Sequence, residues 1–475
     1  MSNLAEKHDW INYRTAEFKS EEGRVVSYLY LSSQSCNGTS ESSKLRVWLQ
    51  AAQHGDEPAG DQSLLALLGA MDQDPSYASY LLERMDIMML PRYNLDGVYY
   101  FQRVLATNFD PNRDHVKLNR QQTRDIKSLL TDFAPHIIVD AHEYGAQARY
   151  GEEGNYVHAS DGLFAAAKNL NINANIRQLS EELFAANMGA DLEEGGFRWE
   201  TYVTGRTNQS IVFYEAGTDA KIGRNGMGLT QAITFLTEAR GIGLADQEFY
   251  RRTAASLTMI QSVLNTAAAN AETVYNTIEA GIADFISSQD PIVLTDSTSL
   301  TNRTFQMIDT TSGALVDVPI QFASTTPATA NLTRPRPEAY LIPRGWADLV
   351  PRLEASGLEV EQLNYAYSGH VEALEITSSE LDDSYYEGAV LSTLRAQTVQ
   401  REIVLPVGSY WVSTRQRNAA LAMVALEVSY PLLDLLRWCD WSLTGDLQPE
   451  NIDSYASFNI IPVVEGDEYP IFRVM

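Results

Sequence analysis

Along residues 45–51 every second side chain is apolar, namely Leu45, Val47, Leu49 and Ala51, while Arg46 and Gln50 are polar. A period of two predicts a strand. The pattern breaks at Gly55 and resumes with helical spacing after Pro58, so the chain passes from strand to helix across QHGDEP. Further on, the spacing predicts helices over 58–72 and 77–84, a strand DIMMLP at 86–91, a helix QQTRDIKSLLTDFA at 121–134 stopped by Pro135, and then a strand HIIVDAH. Residues 172–191 read as an amphipathic helix, 210–217 (SIVFYEAG) as a short strand, 232–241 (AITFLTEARG) as a buried strand ending on charge, and 246–288 as a proline-free helical run. Strands alternating with helices predict an α/β fold, a mixed open sheet flanked by helices.

The flanks differ in texture. Residues 1–43 read as an irregular N-terminal segment packed on the first domain, with one strand, RVVSYLYLSS, before a Ser-rich turn. Near Gln289 Thr, Ser and Pro become frequent, and FQMIDTT and VDVPIQF alternate like strands. WADLVPRLEASGLEVEQL reads as a helix leading into a strand, and NAALAMVALEVSYPLLDLLRW as a buried helix pair broken at Pro431. The expected organisation is a segment 1–43, a main domain 44–288 and a β-rich α+β accessory domain 289–475. No internal repeat is visible.

Composition narrows the functions. The 35 basic and 62 acidic residues give a net charge of -27, which argues against nucleic acid as a partner. No stretch approaches the roughly 18–20 apolar residues needed to span a bilayer. The start, MSNLAEKHDW, has no apolar leader core. Cys36 and Cys439 show no metal or redox spacing, which leaves one disulfide or two free thiols open.

Ligands of open α/β sheets sit beyond the carboxyl ends of the strands. Here those ends carry His54 and Glu57, Arg92 and Asn94, then Asp140, His142 and Glu143, then Glu238 and Arg240. An imidazole and a carboxylate three positions apart on a strand-to-helix turn can share one cation. His142, delivered to the same edge by HIIVDA, would complete a three-ligand site whose fourth position holds water, as catalytic zinc requires. Taken singly, each residue has a plainer reading: His-x-x-Glu is common in loops, and Glu238 could simply pair with Arg240.

HGDE at 54–57, NLDG at 94–97 followed by Arg103, DPNRDH at 110–115, DAH at 140–142 and FLTEARG at 235–241 occur in an order and spacing that resemble the zinc carboxypeptidases of metallopeptidase family M14. The likeness covers about residues 44–245, with NLDG standing where that family has NPDG. It implies one Zn²⁺ per chain held by His54, Glu57 and His142, with Glu238 as general base. It assigns Arg103 to the oxyanion, with Arg92 as competitor, and Asn112 with Arg113 to the substrate's terminal carboxylate. Asp110 would receive the second ring nitrogen of His54. Tyr214, 24 residues before Glu238, would be the tyrosine over the substrate. Asp140 and Glu143 either do similar outer-shell work or cap the strand end. Arg224, in a Gly-rich loop, reads first as a solvated side chain and otherwise as a residue favouring an acidic terminal side chain.

The resemblance thus implies a metallocarboxypeptidase that hydrolyses the C-terminal bond of a peptide with a free carboxylate, using metal-activated water. It points to a secreted or periplasmic address and leaves a cytoplasmic one open. Two alternatives stand beside it: a zinc deacylase of small acylamino acids like succinylglutamate desuccinylase and aspartoacylase, and an inactive peptide-binding module. NLDG and FLTEARG favour the peptidase. After residue 290 no catalytic cluster is visible, and His370 is the only histidine there.

Overall fold

A computed structural model describes residues 1–33, 44–207, 209–428 and 453–475. Its frame is a mixed eight-stranded sheet, in the spatial order Ile11–Lys19, Val25–Leu31, Met85–Leu90, Leu45–Ala51, Ile137–Gly145, Ile233–Ile242, Gly162–Ala166 and Trp199–Thr201. From Met85–Leu90 to Ile233–Ile242 the strands run parallel, so their carboxyl ends share one edge. Antiparallel neighbours flank this block on both sides.

The central strand departs from its simple alternation. Leu45, Val47 and Leu49 pack toward the helices Pro58–Gln73 and Phe249–Ala269, as expected. Trp48 is equally buried, against Ile126 and Leu130 of the helix Gln121–Phe133. Helices on both faces leave no wet side, so the polar Gln50 is buried too, accepting a 2.8 Å hydrogen bond from the Trp48 indole N–H. Each fully buried Leu or Met of this core contributes about 1.5–3 kcal/mol.

The N-terminal segment supplies two strands where one was expected. INYRTAEFK is the sheet's edge strand, with the alternating burial of a half-wet surface, and its Arg, Glu and Lys are the charges an exposed edge tolerates. The helix expected over 172–191 forms as Ala174–Leu179, a π turn Ser180–Ala185 and Ala186–Glu194.

Two further sheets take up the strands that follow residue 289. A five-stranded sheet, ordered Tyr156–His158, Ile292–Asp309, Leu315–Arg334, Val212–Glu215 and Val203–Gly205, pairs strands from both sides of residue 289. A six-stranded sheet ends in the long hairpin Tyr367–Tyr386 and Ala389–Leu405, whose register is read from Tyr367↔Leu405 to Tyr386↔Ala389. The helix Ala419–Leu426 is buried throughout. Pro431, Cys36 and Cys439 lie outside the described residues, so the expected helix break and the cysteine pairing do too. Among the described residues no helix is long and apolar enough to cross a membrane.

Candidate active site

The HGDE turn is shaped by a backbone contact. A Cβ on Gly55 would lie 1.9 Å from the carbonyl carbon of Gly97, so only glycine lets this turn rest on the NLDG turn. Gly55 N–H also donates to the Gln102 carbonyl at 3.0 Å. In the NLDG turn Asn94 Oδ1 accepts the Gly97 N–H at 2.8 Å, and its Nδ2 donates to the carbonyls of Arg103 and Val104 at 3.3 and 3.0 Å. Asn94 therefore pins the backbone that carries Arg103.

His54, Glu57 and His142 converge at the carboxyl edge, all buried, with ligand atoms within 4.8 Å of one another. The two Nδ1 atoms are 3.1 Å apart; Glu57 Oε1 is 2.6 Å from His54 Nδ1 and Oε2 is 2.8 Å from His142 Nδ1. Tetrahedral zinc with bonds of about 2.0–2.1 Å sets its ligands about 3.3 Å apart, so the donor set fits Zn²⁺ after shifts of a few tenths of an ångström. Each ring turns its Nε2 to an acid: His54 to Asp110 Oδ1 at 3.2 Å, and His142 to Asp140 Oδ2 at 3.1 Å, the latter without hydrogen-bond alignment. Such partners select Nδ1 as the coordinating atom.

Strand geometry separates the two acids beside His142. Asp140, two residues away, lies on the same face and accepts a 3.0 Å hydrogen bond from Gln50 Nε2. Glu143 faces the other way: it accepts from Arg252 Nε at 2.7 Å and from the Ala59 N–H at 3.1 Å, in the first turn of the helix that follows Glu57. Burial opposes ionisation of Glu57, but His54 and His142 outweigh it and hold the carboxyl below its usual range. Burial likewise works against His142⁺, while Asp140 and Glu57 raise it.

Glu238 stands in register with His142 across the parallel strand pair. It is buried, and its Oε2 has no hydrogen-bond partner among the described residues. Burial pushes its carboxyl up, Glu57 adds to that, and His142 and Arg103 oppose it. Among the described residues no ion pair within 4 Å joins it to Arg240, whose Nη2 donates to the Ala146 carbonyl at 3.4 Å.

Arg103 reaches the cluster from the other side. Its Nε and Nη2 donate to Asp110 Oδ2 at 3.1 and 2.8 Å, and Nη1 lies 3.1 Å from His54 Nδ1. Arg92 instead pairs with Asp61 at 2.6 Å. Asn112 is buried beside this group: its N–H donates to Asp110 Oδ1 at 2.7 Å, and its Oδ1 accepts the Gly223 N–H at 2.7 Å. Arg113 follows it, half-buried, with Nη1 donating to the Asn112 carbonyl at 2.9 Å.

Tyr214 is not brought to this cluster. It belongs to the strand Val212–Glu215 in the five-stranded sheet, and the charge acting on its hydroxyl is Arg206. Tyr202 stands on the link between the strands Trp199–Thr201 and Val203–Gly205; burial raises its phenol, Glu238 adds to that, and Arg113, Arg224 and Arg103 oppose it. Arg224 is buried rather than solvated; its Nη2 donates to the Gly217 carbonyl at 2.5 Å, and its Nε has no hydrogen-bond partner among the described residues. Gln50 and Tyr202 escaped the sequence reading: the first carried a weak signal as a polar position in a strand, the second none.

A family model for zinc carboxypeptidases of the peptidase M14 type matches residues 1–145. Carboxypeptidase 2 of Trichophyton equinum is 55% identical over 477 residues, covering 100% of this chain and 85% of that protein. The chain belongs to the zinc carboxypeptidase family. Carboxypeptidase 2 of Trichophyton rubrum matches this zinc carboxypeptidase to the same extent, 55% over 477 residues with 100% and 85% covered. Carboxypeptidase A from Helicoverpa armigera superimposes with a TM-score of 0.42 at 16% identity, over 57% of this chain and 72% of that one, too loosely to carry an argument. With family and metal site in agreement, the deacylase and the inactive binding module are set aside: the enzyme is a zinc-dependent metallocarboxypeptidase.

Proposed function

We propose that this carboxypeptidase removes the C-terminal residue of peptides with Glu238 as general base and acid, Arg103 at the oxyanion, and Asn112 with Arg113 at the substrate's terminal carboxylate. The observation that carries the reading is the register of Glu238 beside His142, which puts a carboxylate with a free oxygen next to the metal ligands. When bound by His54, Glu57 and His142, Zn²⁺ supplies Lewis acidity to the scissile carbonyl and the attacking water. Glu238 takes the proton of that water and returns it to the departing amine. Arg103, fixed by Asp110 below and Asn94 behind, presents the remaining guanidinium N–H groups to the developing negative charge.

Arg113 offers the planar fork suited to a carboxylate, while Asn112 orders the loop between Asp110 and Gly223. Tyr202 replaces Tyr214 as the tyrosine over the substrate in this reading, supported by the charges that act on its phenol. A place of work outside the cell is proposed on resemblance alone. The test is Glu238→Gln, which keeps the shape of the side chain but not its basicity. It should retain zinc and lose about 10²–10⁴-fold in kcat, the span of general acid–base catalysis. Turnover at the parent rate would sink the assignment.

A further inference from the structure

The turn of the C-terminal hairpin reaches the active site. Tyr386 pairs with Ala389, leaving Glu387 and Gly388 as a two-residue loop, and both have positive φ, 44° and 90°. Gly388 has to be glycine, because a Cβ there would lie 2.4 Å from the Phe109 ring. Glu387 is the anomaly. Loops of this kind favour Asn, Asp or Gly at that position, and a long side chain held in the left-handed region is strained. What the strain supports is a contact: Glu387 Oε2 accepts the Asp110 backbone N–H at 2.8 Å, while the Glu387 carbonyl accepts from the buried Lys117 Nζ at 2.6 Å.

Asp110 is the hub of the site. Its two oxygens meet His54 Nε2, the Asn112 N–H and the Arg103 guanidinium. A displaced Asp110 peptide would therefore move a metal ligand's partner, the oxyanion arginine and the carboxylate anchor together. We propose that Glu387 is a positioning residue of the active site, through which the C-terminal region holds the Asp110–Arg113 loop in its working geometry. The proposal rests on the roles given above to Arg103, Asn112 and Arg113. It also gives the region after 289, whose described residues carry no catalytic cluster of their own, a part in the reaction.

Glu387→Asn separates this role from a structural one. Asn-Gly is the most favoured pair for such a turn, but the shorter side chain cannot reach Asp110. The variant should unfold at the parent temperature or above, yet lose about tenfold in kcat/KM on an N-blocked dipeptide with a free C-terminus. Glu387→Gln keeps an oxygen at the same reach and should recover to within about threefold of the parent. Parent kcat/KM in Glu387→Asn, equal losses in both variants, or activity falling only in step with the unfolding temperature would each overturn the proposal. Glu238→Gln, assayed alongside, keeps the two failures apart: parent turnover there condemns the catalytic roles, whereas parent turnover in Glu387→Asn alone condemns only the positioning role.

Discussion

Asp110→Asn asks how much of the site depends on one carboxylate. Asp110 Oδ1 accepts the Asn112 N–H at 2.7 Å and faces His54 Nε2 at 3.2 Å, while Oδ2 accepts Arg103 Nε and Nη2 at 3.1 and 2.8 Å. An amide has one accepting oxygen, so either orientation points its NH₂ at donors. With the oxygen kept toward the more buried Asn112 and His54, Arg103 loses its anchor. A hydrogen bond to a charged group is worth about 1.5–3 kcal/mol, or roughly 10–100-fold. The Arg103 side chain is 40% exposed, and solvent screening argues for the lower half of that range. Because the His54 ring also loses its carboxylate, zinc affinity should fall by about tenfold. The assay is kcat/KM on an N-blocked dipeptide at saturating zinc, with zinc affinity measured by competition against a calibrated chelator. Parent values for both would refute the reasoning that Asp110 joins the metal ligand to the oxyanion arginine.

Three further outcomes follow from the geometry. Arg113→Ala should raise KM for substrates with a free C-terminus at least about tenfold more than for C-terminally blocked esters, and equal effects would remove the carboxylate anchor. Arg224→Met should depress kcat/KM for peptides ending in Asp or Glu more than for those ending in Leu, because a buried guanidinium without an ion pair within 4 Å among the described residues favours an acidic neighbour; a uniform effect would make Arg224 purely structural. His158 packs among Tyr144, Tyr150, Phe213 and Phe305, and burial, with Arg240 adding, lowers it from 6.5 to about 4. The unfolded chain then binds the extra proton between those values, so stability is full above about pH 6.5 and falls by about 3 kcal/mol on acidification toward pH 4. Urea midpoints across this range should vary less in His158→Phe than in the parent, and parallel profiles would contradict the burial argument.

Much of the site was legible because its residues sit where local rules put them. His54, Glu57, His142 and Glu238 lie toward the carboxyl ends of strands that the alternation at 45–51 and the apolar runs HIIVDAH and AITFLTEARG already located. Asp110 and Asn112 lie two apart in a short turn, where the acid accepts the amide N–H without outside help. Tyr202 escaped this reading, since it stands on the one-residue link between the strands Trp199–Thr201 and Val203–Gly205, which join different sheets, whereas Tyr214 lies within the strand Val212–Glu215 of the second. The two acids beside His142 were ambiguous for a different reason: which one meets the ring depends on the face that each presents, and Glu143 is claimed by Arg252 from a helix more than a hundred residues later.

By itself the sequence pointed to the alternating elements and to the His54–Glu57 turn and His142 as a candidate metal group at one carboxyl edge, because strand period and glycine turns act over a few residues. Tertiary structure alone decided what long-range contact controls. It buried Gln50 on a second helix-covered face, drew the strands Ile292–Asp309 and Leu315–Arg334 into a sheet with strands from before residue 289, and set Glu387 against Asp110 across 277 positions of chain. No periodicity spans such a distance; only the packing of one element on another does.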